Sequence, residues 1–442
     1  MAFFKKSFLV LILFLGVSGA VAQGRFQILD KARGKVSMPF SLVNNMVVIE
    51  AEINGTRLSF LLDTGVNKTL LFNLKMSDSL QLNNMNKMQF RGLGEGDVIN
   101  AYKSQGNRFR FGEIVNSDLS LFVITDNLFD LSAKMGIDVH GIIGGDLFRY
   151  FVVSINYSSR RLTFYDPLVY PKGLCNGCES FPLDFYNDKP YLDVQVVDYR
   201  GKEFKAKLLI DSGGGDALWL FPHSSPDIVI PPRNFDDFIG KGLSGDIYGK
   251  RGKVVALNIG SFEIEEASVS YPDSISIASA QAIRERNGTL GAEILKRFHV
   301  TLDYPGRRII LKKNPRNFRA PFLYNKSGME ISYGGEMLVK EKRAKIIPTG
   351  DQGTSITDII YGYGLTYKPS YKVSHVRHGS PAHLAGILVG DILLEVNGRA
   401  AYTMKMQEVV HTLSQKEDKR IRLLIDRNGN HLRYEFTLKS LL

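Results

Sequence analysis

Cysteine is scarce in this chain of 442 residues, which has only Cys175 and Cys178. Two cysteines exclude a disulfide-rich scaffold and a four-cysteine zinc site. No segment is apolar enough to span a bilayer, which takes about 20 consecutive apolar residues, so we expect no transmembrane anchor. The formal net charge is +11, but the basic residues are scattered along the chain, which argues against nucleic-acid binding.

The composition is that of a globular protein, with 44% hydrophobic and 23% charged residues. Such values exclude wholesale disorder and a fibrous repeat. The length predicts about three domains.

Residues 1–22 have the three parts of a cleavable secretory signal. Lys5 and Lys6 form a charged start, an apolar run follows from Ser7 to Gly19, and small residues precede Gln23. The alternative, an uncleaved anchor, is disfavoured because the run is about 13 residues, shorter than a bilayer span. No cysteine follows that would accept a lipid. We therefore expect an exported protein, periplasmic or extracellular, with association with the cell envelope left open.

The two cysteines lie three residues apart in a stretch that contains proline and glycine, Pro167–Pro182. In an exported protein this setting favours a local disulfide between Cys175 and Cys178 that pins a linker. A thiol-redox pair is the alternative, but the motif does not open a clear helix after a strand.

An internal repeat organises the chain. The run Phe60–Gly65, which ends in Asp-Thr-Gly, returns 148 residues later as Leu208–Gly213, which ends in Asp-Ser-Gly. Gly141–Leu147 is echoed 147 residues later by Gly288–Ile294. Two further markers, one around Asp97 and Asp246 and one at Asn156-Tyr157 and Asp303-Tyr304, keep the same offset to within one residue. The chain therefore contains two copies of a lobe of about 145 residues.

Each lobe is predicted to consist mainly of strands. Short apolar segments alternate with turns rich in Gly, Asn and Asp, and helical patterns such as Ser276–Arg286 are brief. The strand predictions include Met46–Ile53, Leu119–Ile124, Leu192–Val197 and Val254–Ile259.

An Asp-Thr/Ser-Gly turn after a buried strand has a chemical logic. The strand places the carboxylate in a dry region, the glycine allows a sharp turn, and the hydroxyl of Thr64 or Ser212 can bond the backbone of the opposite lobe. If Asp63 and Asp211 face each other, they cannot both ionise cheaply, so one proton is held between them. The ionised partner can then take a proton from a water molecule while the other polarises an amide carbonyl.

These motifs resemble the pepsin-like and retropepsin-like aspartic peptidases. The resemblance covers Met38 to Asn314 and rests on both acidic turns, each followed 80 or 81 residues later by an apolar-apolar-Gly turn, at Gly144 and Gly291. It implies a mainly β, bilobal fold in which β-barrel lobes are related by pseudo-twofold symmetry. It also implies Asp63 and Asp211 as catalytic residues, supported by Thr64, Gly65, Ser212 and Gly213.

The same resemblance implies flap hairpins that close over a bound peptide. The candidate residues lie in two glycine-rich segments, with ordinary surface hairpins as the alternative. They are Gly92, Gly94, Gly96 and Asp97 in the first lobe, and Gly242, Gly245 and Asp246 in the second.

One departure from the family concerns the residue after each triplet, where many relatives have a side-chain hydroxyl. Here Val66 and Gly214 offer no side-chain donor. Loss of a donor to the charged form raises the pKa values of a carboxyl pair. We therefore expect a pH optimum less acidic than that of pepsin-like enzymes, and activity peaking below about pH 4 would contradict this.

The last part of the chain carries a different pattern. The run from Gly379 to Gly398 reads Gly-Ser-Pro-Ala-x-x-Ala-Gly-x-x-x-Gly-Asp-x-x-Leu-x-x-Asn-Gly and resembles a PDZ domain of bacterial periplasmic proteases. We expect a helix from Met404 to Leu413 and a hairpin around Asn428-Gly429-Asn430. PDZ domains bind an extended chain end beside such a helix, with loop amides holding its carboxylate. The segment Gly362, Tyr363, Gly364 and Leu365 is our candidate for that loop.

Three histidines near this run, His375, His378 and His383, do not have the spacing of metal ligands, and we expect surface residues. No cofactor is implied anywhere in the chain.

The predicted organisation has five parts: a signal peptide at 1–22, an N-terminal lobe at 23–170, a linker at 171–182, a C-terminal lobe at 183–320, and a small α+β PDZ-like domain with an N-terminal extension at 321–442. The favoured function is an exported aspartic endopeptidase whose PDZ-like module recruits peptides or substrates. One chain holds both half-sites, so a monomer suffices for catalysis. A catalytically weak or inactive peptide-binding scaffold on the same fold is the alternative.

Overall fold

The computed structural model describes residues 24–74, 80–90, 99–125, 131–171, 173–242, 245–277, 285–349 and 356–442. The predicted signal peptide, residues 1–22, and most of the predicted helix Ser276–Arg286 lie outside these ranges. Among the described residues, no helix has the length and apolar character needed to cross a bilayer.

The N-terminal lobe is built from twelve strands and two short helices. The strands are β1 (Gln27–Ile28), β2 (Lys35–Pro39), β3 (Ser41–Val43), β4 (Met46–Ile53), β5 (Thr56–Leu62), β6 (Leu70–Leu71), β7 (Asn86–Phe90), β8 (Ile99–Phe111), β9 (Ile114–Ile124), β10 (Gly141–Ile143), β11 (Val152–Asn156) and β12 (Arg161–Tyr165). The helices are α1 (Leu131–Met135) and α2 (Gly145–Phe148). Nine of the strands form one sheet, in the order β1-β9-β6-β10-β5-β4-β8-β7 with β3 beside β4.

The C-terminal lobe repeats this plan. Its strands are β13 (Cys178–Pro182), β14 (Asp184–Tyr186), β15 (Lys189–Val197), β16 (Glu203–Asp211), β17 (Leu218–Leu220), β18 (Phe235–Gly242), β19 (Gly245–Lys253), β20 (Ala256–Ile259), β21 (Phe262–Glu265), β22 (Ser268–Pro272), β23 (Gly288–Gly291), β24 (Phe298–Asp303) and β25 (Arg308–Lys313). Helix α3 (Ala292–Leu295) corresponds to α2. Ten of these strands form one sheet, in which β16 pairs with β23 as β5 pairs with β10.

A six-stranded sheet joins the lobes, in the order β13-β25-β24-β11-β12-β2. Its central pair is β11 and β24, in which Ser154 lies opposite Thr301. These two residues are equivalent positions of the repeat, and the Thr301 hydroxyl donates to the Ser154 hydroxyl at 3.2 Å. The pseudo-twofold axis therefore passes between them, and one hydrophobic core extends through both lobes.

The segment predicted to be a linker contributes to this sheet. Cys175 and Cys178 form a disulfide, and β13 begins at Cys178 and pairs with β25. Residues 178–182 of the predicted linker thus form a strand, because the edge of β25 offers backbone groups with which they can pair.

The third unit has its own hydrophobic core and a six-stranded sheet. Its strands are β26 (Met329–Thr349), β27 (Ile356–Val376), β28 (Ile392–Val396), β29 (Arg399–Ala400), β30 (Arg420–Arg427) and β31 (Asn430–Thr437), and its helices are α4 (Pro381–Leu384) and α5 (Met406–Leu413). The sheet order is β26-β27-β28-β30-β31, with β29 beside β28. Helix α4 begins at Pro381, because the Ser380 hydroxyl accepts from the His383 N–H and Pro381 occupies the first turn.

Strands β26 and β27 extend well beyond the rest of this sheet as a two-stranded arm. The arm spans Glu336–Thr349 and Ile356–Pro369. One face of the arm carries exposed Tyr361, Tyr363, Leu365 and Tyr367.

The parallel pairing beneath each acidic turn needs glycine at one position. A methyl group on Gly144 would lie less than 3.0 Å from the Val66 carbonyl oxygen and the Lys68 nitrogen. The equivalent Gly291 meets the carbonyl oxygens of Asp216 and Gly214 in the same way. Backbone atoms on both sides leave no room for a side chain, so the glycine sets how closely the two segments approach.

We predict that Gly144→Ala lowers the free energy of unfolding by about 1–3 kcal/mol, the usual cost of inserting a methyl group into a filled site. The matched control is Gly362→Ala, where the added methyl would meet no atom within 4 Å and the change should stay within about 0.5 kcal/mol. Urea unfolding of both variants measures the difference, and equal midpoints would contradict the packing argument.

Candidate active site

The two acidic turns meet at the pseudo-twofold axis. Asp63 follows β5, and Asp211 is the last residue of β16. The Asp63 N–H donates to the Ile143 carbonyl at 2.9 Å, which ties the first turn to the strand beneath it. In the second turn, Asp211 lies opposite Gly291 in the parallel pair.

Thr64 and Ser212 lock the turns together. The Thr64 hydroxyl donates to the Ile210 carbonyl at 2.7 Å and accepts from the Ser212 N–H at 3.0 Å. The Ser212 hydroxyl donates to the Leu62 carbonyl at 2.8 Å and accepts from the Thr64 N–H at 3.1 Å. Both side chains are buried. Water cannot reach their polar groups, so these four bonds are what satisfies them.

The glycine of each turn faces the carboxyl group of the other. A methyl group on Gly65 would lie 2.9 Å from Cγ of Asp211, and one on Gly213 would be closer still to Cγ of Asp63. The same methyl group on Gly65 would lie 3.0 Å from Oδ1 of Asp211 and 3.1 Å from Oδ1 of Asp63, so the two carboxyl groups are neighbours. The absence of a Cβ at both glycines thus lets the two acids come together.

Burial and the neighbouring acid change the titration of this pair. Asp63 is 8% exposed. Its burial, and next the charge of Asp211, raise the pKa of Asp63 well above the ordinary value. A pair of this kind holds one proton over a wide pH range.

The two carboxyl groups are not equivalent. Oδ1 of Asp63 accepts one backbone N–H, from Gly65 at 2.6 Å. Oδ1 of Asp211 accepts two, from Gly213 at 3.0 Å and Gly214 at 2.8 Å. Gly214 has no side-chain hydroxyl, but its backbone N–H donates to Asp211 instead. Asp211 therefore has one more amide donor than Asp63, and such donors favour the charged form of a carboxyl group.

Lys189 is a site residue that the sequence reasoning missed. It opens β15 after the turn Asn187-Asp188, and its ammonium interacts with both Asp63 and Asp211. Burial lowers the pKa of Lys189, and the two aspartates oppose that effect. In the first copy of the repeat, Met46 opens the equivalent strand, so a comparison of the two copies would have shown this charge.

Asn45 and Asp188 connect each lobe to the short helix of the other. The Asn45 side chain donates to the Gly215 carbonyl at 3.0 Å and to Glu293 at 2.7 Å. On the opposite side, Asp188 forms an ion pair with Arg149. These turns fix the distance between the lobes near the two acids.

The flap candidates have different outcomes. Gly92, Gly94, Gly96 and Asp97 lie outside the described residues, between β7 and β8. Gly242 pairs with Gly245 at the end of the β18–β19 hairpin, and Asp246 follows in β19. A hairpin is present where the sequence predicted one in the second lobe, while a role as a flap stays a prediction.

Two family models match the chain. One, described as aspartyl protease, matches residues 49–147, and it includes the first acidic turn and the glycine turn beneath it. The chain carries an aspartyl protease domain. A second model, described as PDZ domain, matches residues 372–427 in the third unit. No curated protein gives a significant match to the chain. The predicted mainly β bilobal fold with a PDZ domain is confirmed.

The candidate loop of the PDZ domain is placed elsewhere than predicted. Gly362, Tyr363, Gly364 and Leu365 lie within β27 and pair with Lys340–Arg343 in the arm, so the prediction of a loop is wrong there. The glycine-containing turn that begins the edge strand of the domain is Asn325–Gly328. Its Lys326 N–H donates to the Leu413 carbonyl at the end of α5, so this turn contacts the helix.

The histidines also have defined places. His375 stacks against Phe238 and Tyr248 of the C-terminal lobe, with ring centroids 5.5 and 5.9 Å apart. The rings of His378 and His383 are 4.6 Å apart. Within the described ranges, no cluster of three metal-binding side chains occurs.

We predict that Thr64→Val lowers the free energy of unfolding by about 1–3 kcal/mol, because the isosteric change leaves the Ser212 N–H and the Ile210 carbonyl unpaired in a buried place. Ser212→Ala should act similarly. Thr163→Val is the control, since the Thr163 hydroxyl makes an exposed bond to Ser37. Equal stability of all three variants in urea unfolding would show that the lock contributes little.

Proposed function

We propose that this protein is an exported aspartic endopeptidase that hydrolyses peptide bonds with Asp63 and Asp211. The observation that carries the proposal is the pair of neighbouring carboxyl groups at the lobe junction, each facing the glycine of the opposite turn. The aspartyl protease match to residues 49–147 supports it independently of this geometry. The sequence of residues 1–22 supports export.

The different donors around the two acids support a role for each in this proposal. Asp211 accepts two amide N–H groups and is proposed as the ionised partner, which takes a proton from the attacking water. Asp63 accepts one and is proposed as the protonated partner, which donates a hydrogen bond to the scissile carbonyl. Water then adds to the carbonyl carbon, and proton transfer to the amide nitrogen allows the C–N bond to break.

The extended substrate is proposed to lie in the cleft between the lobes, beneath hairpins that include β18–β19. The PDZ domain is proposed to bind peptide chain ends and thereby to recruit or position substrates.

Hydrolysis of an unstructured protein such as casein tests the proposal. Asp63→Asn and Asp211→Asn should each lower turnover by at least about 100-fold, because each removes one partner of the acid–base pair. Asp193→Asn in the same lobe as Asp211 is the matched control, because Asp193 is paired with Lys205 at the surface. A statine-type inhibitor should abolish wild-type turnover. Peptide binding without turnover in all variants would instead favour the inactive scaffold.

Asp63→Asn should also separate activity from stability. A group whose pKa is raised on folding stabilises the protein fully only below its unfolded-state pKa, and that contribution is lost as the pH rises through the folded-state pKa. Asparagine does not titrate, so the variant should unfold at pH 7 at a temperature no lower than the wild type. A lower unfolding temperature would indicate that the carboxyl group contributes structure that an amide cannot replace.

Lys189 is proposed to lower the upper pH limit of activity. Its positive charge lowers the pKa of Asp63 and opposes the larger effects of burial and Asp211. Lys189→Met should therefore raise the pH at which the pair loses its shared proton, and move the alkaline limb of kcat/KM to higher pH. Lys205→Met, an exposed lysine of β16, is the control, and a shift to lower pH for Lys189→Met would contradict the placement.

A further inference from the structure

A segment of the N-terminal lobe lies beside the edge strand and the long helix of the PDZ domain. A PDZ domain adds a peptide beside its edge strand and its long helix, here β26 and α5. Helix α1 packs against β26, and the Gln407 side chain of α5 donates to the Met135 carbonyl at 2.8 Å. A methyl group on Gly136 would lie 2.8 Å from Cβ of Met406. The segment Leu131–Gly136 therefore lies where a peptide would approach the start of α5.

Backbone amides of the turn Asn325–Gly328, at the end of α5, already have hydrogen-bond partners within the chain. Oδ1 of Asn325 accepts the N–H groups of Ser327 and Gly328 at 3.1 and 3.2 Å. A terminal carboxylate that binds these amides would have to displace the Asn325 side chain. Side chains and backbone groups of the protein itself therefore already bond the turn Asn325–Gly328 and the start of α5.

Buried ion pairs between side chains join the PDZ domain to the C-terminal lobe near this segment. Asp237 of β18 pairs with Arg251 at 2.6 Å and with Arg377 of the PDZ domain at 3.2 Å. Asp237 and Arg377 are each 9% exposed. Removal of Arg377 would leave a buried carboxylate with one cation fewer, which weakens the contact between the two units.

The β18–β19 hairpin is held between the PDZ domain and α1. Its Phe238 and Tyr248 stack on His375 of the PDZ domain. A methyl group on Gly240 would lie 3.3 Å from Nζ of Lys134 in α1. A hairpin of one lobe therefore reaches a helix of the other lobe, and both contact the PDZ domain.

We propose that the PDZ domain is a latch on the protease cleft, closed in cis by Leu131–Gly136. An extended peptide that binds between β26 and α5 competes with this segment, releases it from Gln407 and loosens the β18–β19 hairpin. The latch rests on the proposed function only for its effect on hydrolysis. Its structural part, the competition for the groove, stands on the contacts alone.

Two variants of the full chain test the latch. Gln407→Ala removes the bond to Met135, and Arg377→Glu places a negative charge beside Asp237. Gln415→Ala and Arg420→Glu are matched controls, because Gln415 bonds Lys419 and Arg420 pairs with Glu435 at the surface of the same domain. Hydrogen exchange of residues 131–136 and 235–253 and the association rate of a statine-containing peptide are measured for all four.

We expect amide exchange in both segments to be at least 3-fold faster in Gln407→Ala and Arg377→Glu, inhibitor association to be at least 3-fold faster, and kcat/KM to increase in parallel. The controls should match the wild type. Unchanged exchange in Gln407→Ala would overturn the cis contact, even if Arg377→Glu fails to fold. Faster exchange with unchanged or slower association would overturn the latch. Absence of turnover in every protein, with faster exchange and faster association, would reject the proposed hydrolysis and keep the latch.

Discussion

Thr64 and Ser212 each donate a hydroxyl proton to a carbonyl of the other lobe and accept an amide proton in return. This exchange occurs where the ends of β5 and β16 bring two acids together, and it ties the two turns to each other through four hydrogen bonds. The glycines at 65 and 213 complete the arrangement because neither carboxyl group meets a side chain from the opposite turn. The contacts that hold the two lobes together are therefore the same ones that place the two carboxyl groups side by side.

Duplication gives the molecule a near-symmetric frame, while its chemistry depends on where the copies differ. The six-stranded sheet places Ser154 against Thr301 on the axis, so the frame treats both halves alike. The donors around the acids do not: Gly214 adds a second amide to Asp211, and Lys189 stands where the first copy has Met46. The proposed mechanism needs a general acid and a general base that differ in proton affinity, and these small differences between the copies are consistent with that need.

Much of the fold was predictable because its signals are local or repeated. Strand β4 spans Met46–Ile53 as predicted, and helix α5 and the hairpin at Asn428-Gly429 lie where the pattern indicated. The offset near 147 residues also predicted that the two turns would meet. These signals need no knowledge of distant contacts.

The features that the sequence did not predict depend on contacts between residues far apart in the chain. Gly362–Leu365 alternates glycine with large residues, a pattern that suits an exposed strand as well as a binding loop, and only the pairing with Lys340–Arg343 decides between them. Lys189 approaches the acids through tertiary folding, which spacing does not show. The contact between Met135 and Gln407 joins residues 272 positions apart, and no periodicity of the sequence encodes it.

The arm formed by β26 and β27 has a consequence for how this protein behaves at high concentration. Among the described strands, none pairs with the outer edges of the arm, and open edges invite the same edge of a neighbouring molecule. Lys340 and Lys342 lie over the rings of Tyr363 and Tyr361 at 4.6 and 4.1 Å. Charged lysines on an exposed edge disfavour its pairing with the same edge of a second copy, so the arm can present aromatic surface at an unpaired edge.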